Sequence, residues 1–129
     1  MPYLQLDVSE QYPPQTKQRL AKELGRIYAR QMQADVNRVS IAIRELGSAG
    51  LWRCTADEPY PAALLMCDIR TGRPPEQRAE LAKMLIGACM DILGLRIEQV
   101  NLEFTQHTGD EMYHPLRGGL SADWRPDEV

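Results

Sequence analysis

Leu4-Gln5-Leu6-Asp7-Val8, Pro13-Pro14 and Leu20-Ala21-Lys22 decide the fold, because each returns 61 positions later. The second copies are Leu65-Met66-Cys67-Asp68-Ile69, Pro74-Pro75 and Leu81-Ala82-Lys83. At the same offset Leu24 meets Leu85, Val39 meets Val100 and Ile41 meets Leu102. An ungapped match that falls on the same punctuation marks indicates one supersecondary unit used twice.

Each half reads as strand, turn, helix, turn, strand. Tyr3 to Val8 alternates apolar and polar residues, the period of a half-buried strand. A Pro-Pro pair ends a strand and suits the first turn of a helix. Leu20, Leu24 and Ile27 then recur at helical spacing, as do Leu81, Leu85, Ala88 and Ile92. Gly94 marks the exit of the second helix, where a positive φ is needed. Val39, Ile41 and Ile43 alternate as a closing strand, and so do Val100, Leu102 and Phe104. A crossover of this length makes the two strands of each unit parallel and right-handed. The expected class is therefore α/β, with two tandem β-α-β repeats forming a four-stranded sheet that carries two helices on one face. The other face is bare, which predicts burial against further copies of the chain.

The boundaries follow from composition. Repeat one spans 2–46, a linker 47–61 and repeat two 63–107, all within a single domain. The linker holds Gly, Pro and Trp52, with a short edge segment expected around Leu51 to Cys54. A polar arm covers 108–129 and is read as packing on a neighbour or covering a site, with Arg125 to Val129 frayed.

Several classes are disfavoured. The chain has 129 residues, 43% of them hydrophobic and 26% charged, as in a soluble globular domain. Its apolar runs are far shorter than the ~18 residues of a membrane span, and the N-terminus lacks the basic and apolar regions of a signal peptide. A net charge of −3 argues against a nucleic-acid partner. Cys54, Cys67 and Cys89 form no CxxC pair, so neither a disulfide framework nor a metal site is expected. Cys67 and Cys89 read as small core residues. Cytoplasmic localisation follows from the cysteine usage. With no GxGxxG or GxxxxGK, no cofactor is expected.

Three features carry potential chemistry. Pro2 follows the initiator, and loss of Met1 exposes a secondary amine. Burial and nearby cations keep such an amine neutral, able to move protons on carbon acids. Pro2 is equally a common by-product of processing. Arg70 and Arg73 flank the turn before the second helix. Their planar forks suit a carboxylate, though Arg70 could simply pair with Asp68 or Glu76. The same turn in repeat one, Ser9-Glu10-Gln11-Tyr12, has no arginine. The third feature is the arm cluster Glu111, Tyr113, His114 and Arg117, where His114 is a candidate acid or base. Glu103 and Glu45 are carboxylates on strands, a type more often merely exposed.

These residues together resemble the tautomerase superfamily, in which the longer members fuse two 4-oxalocrotonate tautomerase (4-OT) units. The resemblance covers residues 2 to about 107, and more loosely the tail. It implies catalysis by Pro2 after loss of Met1, with Ala63 leaving one working proline per chain. Arg70-Thr71-Gly72-Arg73 resembles the paired arginines of the cis-3-chloroacrylic acid dehalogenase group, which bind the substrate carboxylate. Those dehalogenases also use a histidine in the first helix, a tyrosine on the final strand and a glutamate in the tail. Tyr28, Glu103 and His114 lie near these positions and match none of them in type. Dehalogenation is thereby disfavoured. Malonate semialdehyde decarboxylases, of similar size, use an aspartate, for which Asp35 is the nearest candidate.

The resemblance thus implies a homotrimeric, cofactor-free keto-enol tautomerase acting on a small 2-hydroxy-dienoate or enolpyruvate carboxylate. Pro2 and His114 would be catalytic, and Arg70, Arg73, Tyr28 and Glu103 would bind substrate. Trp52, Phe104, Tyr113 or Leu116 would wall the pocket. The alternatives are hydration, dehalogenation or decarboxylation of a three-carbon acid, a non-catalytic trimeric module, and an anion-binding protein.

Overall fold

Both β-α-β units form, and they stay in step. The computed structural model describes residues 2–128. Strand β1 (Tyr3–Val8) leads into helix α1 (Pro14–Met32), which returns as β2 (Ser40–Glu45). A small hairpin follows, β3 (Trp52–Arg53) against β4 (Tyr60–Pro61). Strand β5 (Ala63–Arg70), helix α2 (Pro75–Leu93) and strand β6 (Val100–His107) repeat the first unit. The arm adds a second hairpin, β7 (Tyr113–His114) with β8 (Gly119–Leu120). The two helices are 19 residues each and begin 61 residues apart.

Proline sets both helix starts. Pro13 and Pro74 are the N-caps, with Pro14 and Pro75 at the first helical position, where a missing N–H costs nothing. Both helices stop on a residue in the left-handed region. Gly94 sits there at φ 70°, whereas its counterpart Gln33 does so at φ 52°. Glycine has no Cβ to object, while glutamine is strained there.

The sheet order is β2-β1-β5-β6. Each unit contributes a parallel pair, and the units join through antiparallel β1 and β5. Leu4, Leu6 and Val8 of β1 and Leu65, Cys67 and Ile69 of β5 point at the helices. There they meet Leu20, Leu24, Tyr28 and Met32 of α1 and Leu81, Leu85 and Cys89 of α2. Removing such side chains from water contributes about 1.5–3 kcal/mol apiece.

The opposite face is mixed rather than apolar. The strand pleat places Tyr3, Gln5, Asp7, Leu64, Met66, Asp68, Asn101 and Glu103 there. Asp7 accepts a two-pronged ion pair from Arg44 at 2.7 and 2.9 Å. Charges of this kind let a bare sheet face meet water. Among the described residues no helix is long and apolar enough to cross a membrane.

The arm packs back on the second repeat as far as Trp124. Trp124 is buried, and its backbone N–H donates to the Thr71 carbonyl at 2.9 Å. Gly72 makes the close approach possible. It lies at φ 137°, and a Cβ there would collide with the Trp124 backbone. The Glu128 N–H closes a turn on the Arg125 carbonyl at 3.0 Å.

Candidate active site

Antiparallel pairing of β1 with β5 builds the site. Tyr3 lies opposite Asp68, so the start of β1 meets the end of β5. Pro2 therefore sits beside Arg70 and the turn that carries Arg73. Helix α1 runs back along β1, which brings its last turn to the same end. The Pro2 carbonyl accepts the Ser40 N–H at 3.0 Å, pinning Pro2 to the start of β2. Pro2 is itself buried.

A cavity of about 720 Å³ opens at this corner. That is the size of a small-molecule site. Pro2, Tyr28, Arg70, Arg73 and His114 all line it. Asp35, Arg38, Ser121 and Glu128 join them. Residues 26 to 126 positions distant from Pro2 in sequence are thus brought to one place.

The two arginines are held differently. Arg73 is only 5% exposed. Its Nε and one Nη donate to the Met32 carbonyl at 3.1 and 2.8 Å, tying the second unit to the end of α1. Its guanidinium also stacks 4.9 Å from the Trp124 ring. Burial lowers the Arg73 pKa from its ordinary value, opposed by the Tyr28 phenol beside it. An arginine stays protonated through such a shift. Arg70 is gripped by the arm instead. One Nη donates to the Ala122 carbonyl at 3.0 Å, and the other pairs with the Glu128 carboxylate at 2.5 Å.

Tyr28 is 1% exposed on α1. Burial pushes its phenol up to about 12, outweighing the pull of Arg73 and Arg70. It remains a protonated hydrogen-bond donor at neutral pH. His114 enters from β7, with Nδ1 buried and without a hydrogen-bond partner. An unpaired buried nitrogen beside a cavity is a candidate contact for a bound molecule.

Other residues singled out by sequence lie elsewhere. Glu103 is exposed on β6, on the open face of the sheet, and does not line the cavity. Nor do the expected wall residues. Trp52 and Leu116 are exposed, and Phe104 lies 5.9 Å beneath Arg78. Tyr113 and Glu111 line a smaller hollow with His107, whose ring nitrogens face Asp68 at 2.6 Å and Glu111 at 3.3 Å. The side chain of Arg117 lies outside the described residues. Cys67 and Cys89 are buried in the core, where burial pushes each thiol up to about 12. Thiols that resist ionisation are poor nucleophiles.

Sequence reasoning missed Arg38 and Glu128. Arg38 follows α1 in a short turn whose Asp35 carboxylate accepts the Asn37 N–H at 2.9 Å. The Asp-x-Asn spacing was a legible sign of an ordered turn. Glu128 had no local signal, since only long-range folding returns the arm to β5.

Comparison with known proteins gives a consistent answer for the fold. No family model matches the chain, and no curated protein matches it in sequence. Solved structures do. N1, a member of the cis-3-chloroacrylic acid dehalogenase family, is 19% identical with a TM-score of 0.82, over 94% of this chain and 84% of its own. A fused 4-OT described as a wild-type symmetric trimer is 25% identical with a TM-score of 0.80, over 93% and 95%. Pt0534, solved after inactivation by 2-oxo-3-pentynoate, is 21% identical with a TM-score of 0.79, over 93% and 95%.

Proposed function

Since the chain has the fold of the tautomerase superfamily, we propose that it is a cofactor-free keto-enol tautomerase. In this reading it acts on a small 2-hydroxy-dienoate or enolpyruvate carboxylate, as a cytoplasmic homotrimer. One observation carries the proposal: Pro2 lies in the same cavity as Arg70, Arg73, Tyr28 and His114.

After loss of Met1, Pro2 presents a secondary amine in a buried setting. The cations around the cavity disfavour a further positive charge and keep the amine a free base. Its nitrogen takes the proton from the enol hydroxyl. The oxygen lone pair becomes the carbonyl, and the carbon–carbon π pair takes the proton back from the prolinium at the neighbouring carbon. The proton balance is closed, with no oxidant or reductant.

The remaining groups stabilise the charge that develops on the way. Arg70 faces the substrate carboxylate, and Arg73 supplies a fixed positive charge behind it. Tyr28, held as a phenol, donates to the developing enolate oxygen. His114 Nδ1 is available to the same oxygen or to the carboxylate. Burial strengthens each of these interactions. The trimer is supported by the symmetric trimer of the fused 4-OT neighbour. Glu103, exposed on the open sheet face, would reach substrate only across a subunit boundary.

Ketonisation of phenylenolpyruvate and 2-hydroxymuconate, followed by ultraviolet absorbance, tests the reading. Protein free of Met1, checked by intact mass, should convert at least one of them, and Pro2→Ala should not. Inactivity of the Met1-free protein on both would overturn it. A second reading, decarboxylation of a three-carbon oxo acid, is favoured by Asp35 in the cavity wall. Carbon dioxide release from malonate semialdehyde that is lost in Asp35→Asn would select it.

A further inference from the structure

The ion pair between Glu128 and Arg70 puts a carboxylate of the chain itself where the substrate carboxylate is expected. We propose that Glu128 is a specificity-determining residue, an internal competitor that must leave Arg70 before a substrate carboxylate binds. The inference rests on the assignment of Arg70 to the carboxylate and goes beyond it.

The geometry of Arg70 makes the competition direct. Its side chain is 13% exposed, with the Glu128 side chain at 34%. One Nη is taken by Ala122 and the other by Glu128. A carboxylate gripped two-pronged needs two adjacent N–H groups on one edge of the guanidinium. Both edges of the guanidinium include the Nη that Glu128 holds, and the edge formed by the two Nη groups includes the one on Ala122 as well. A two-pronged ligand therefore competes with Glu128 for that nitrogen whichever edge it uses.

The arm is built to let this happen. Residues up to Trp124 are anchored, since Gly109 N–H donates to Asp123 at 2.7 Å and Trp124 sits on Thr71, Gly72 and Arg73. Arg125, Pro126, Asp127 and Glu128 beyond it are exposed. Among the described residues they are tied by the turn from Glu128 N–H to Arg125 and by the ion pair itself. Glu128 thus sits on a four-residue leash whose root is fixed. A tethered group acts at an effective concentration of roughly millimolar or above. A weakly held carboxylate fails against such a competitor, while one that also satisfies Tyr28 and His114 succeeds.

Charge adds to the selection. Arg38, Arg70 and Arg73 line the cavity with Asp35 and Glu128. Withdrawal of Glu128 removes one of those two carboxylates, leaving a cavity that better accepts an anion. Selection thus depends on the incoming carboxylate matching both prongs and charge.

Calorimetric titration of pyruvate into the full chain tests the competition without turnover. Glu128→Gln and a chain ending at Trp124 should each bind pyruvate roughly three- to tenfold more tightly than the unaltered protein. Arg70→Ala should bind at least about tenfold more weakly. Equal or weaker binding by Glu128→Gln would overturn the inference, as would unchanged binding by Arg70→Ala or no binding by any form. If the truncated chain fails to fold, Glu128→Gln decides alone. Tighter binding together with inactivity on both enols would leave the competitor in place and remove the tautomerase reading.

Discussion

The two halves of the chain share a backbone plan and differ in what they do with its ends. Shifted by 61, Pro2 meets Ala63, Tyr28 meets Cys89, Arg70 meets Ser9 and Arg73 meets Tyr12. Around Pro2 these positions line a cavity. At the other end they are packed into the fold. Ser9 donates to the Leu51 and Ala62 carbonyls at 3.2 and 3.4 Å, Tyr12 packs against the core, and Ala63 is fully buried. The scaffold offers two equivalent corners, and side-chain chemistry makes one of them a site. The tandem repeat supplies the frame, and the side chains at the strand ends set the two corners apart.

The comparison breaks most visibly at Pro2. Pro2→Ala should lower ketonisation by about 10²- to 10⁴-fold, the usual worth of a positioned general base. Its counterpart Ala63, replaced by Gly, should change only stability. Steady-state rates alongside melting curves separate the two, and equal rate losses would erase the asymmetry.

Inside the helices the halves should behave alike. Leu24 and Leu85 are counterparts, and both are fully buried. Either one replaced by Ala should cost about 2–5 kcal/mol in urea unfolding, through lost burial and the cavity left behind. A difference of several kcal/mol between the two would show that the halves are packed unequally.

The counterparts Tyr28 and Cys89 sharpen the comparison through pH. Burial raises Tyr28 from 10.0 and Cys89 from 9.0, each to about 12, and Cys67 rises similarly from 9.0. A raised folded-state pKa gives stability that is whole below the unfolded value and is lost as pH climbs through the folded one. The melting temperature should therefore fall from about pH 9 towards pH 12. The fall should be shallower in Cys89→Ala after correction for its neutral-pH stability. An identical slope would remove Cys89 as a contributor.

The smallest contrast lies at the helix ends. Gln33→Gly should stabilise by up to about 1 kcal/mol, since it relieves a left-handed glutamine. Gly94→Ala should destabilise by about the same amount. Thermal unfolding of the pair would show whether the two stops are equally strained.

The tandem strand-helix-strand order, the proline starts of both helices and the core leucines were legible because periodicity and proline act locally. Arg70 and Arg73 were legible because their turn departs from its repeat. The state of those arginines was not. That Arg73 spends its donors on Met32, or that Arg70 holds Glu128, depends on contacts across 41 and 58 positions. The mixed character of the open face follows from the sequence only once the register is known, because a one-residue slip exchanges the two faces.

By itself the sequence determined two β-α-β units, their junctions and the candidate residues, since each rests on spacing within a few turns of chain. Only the tertiary structure decided that Pro2, Tyr28, Arg70, Arg73 and His114 share one cavity while Glu103 faces away. Antiparallel pairing of β1 and β5 is the reason. It joins the first strand's start to the fifth strand's end, and no local pattern records which ends will meet.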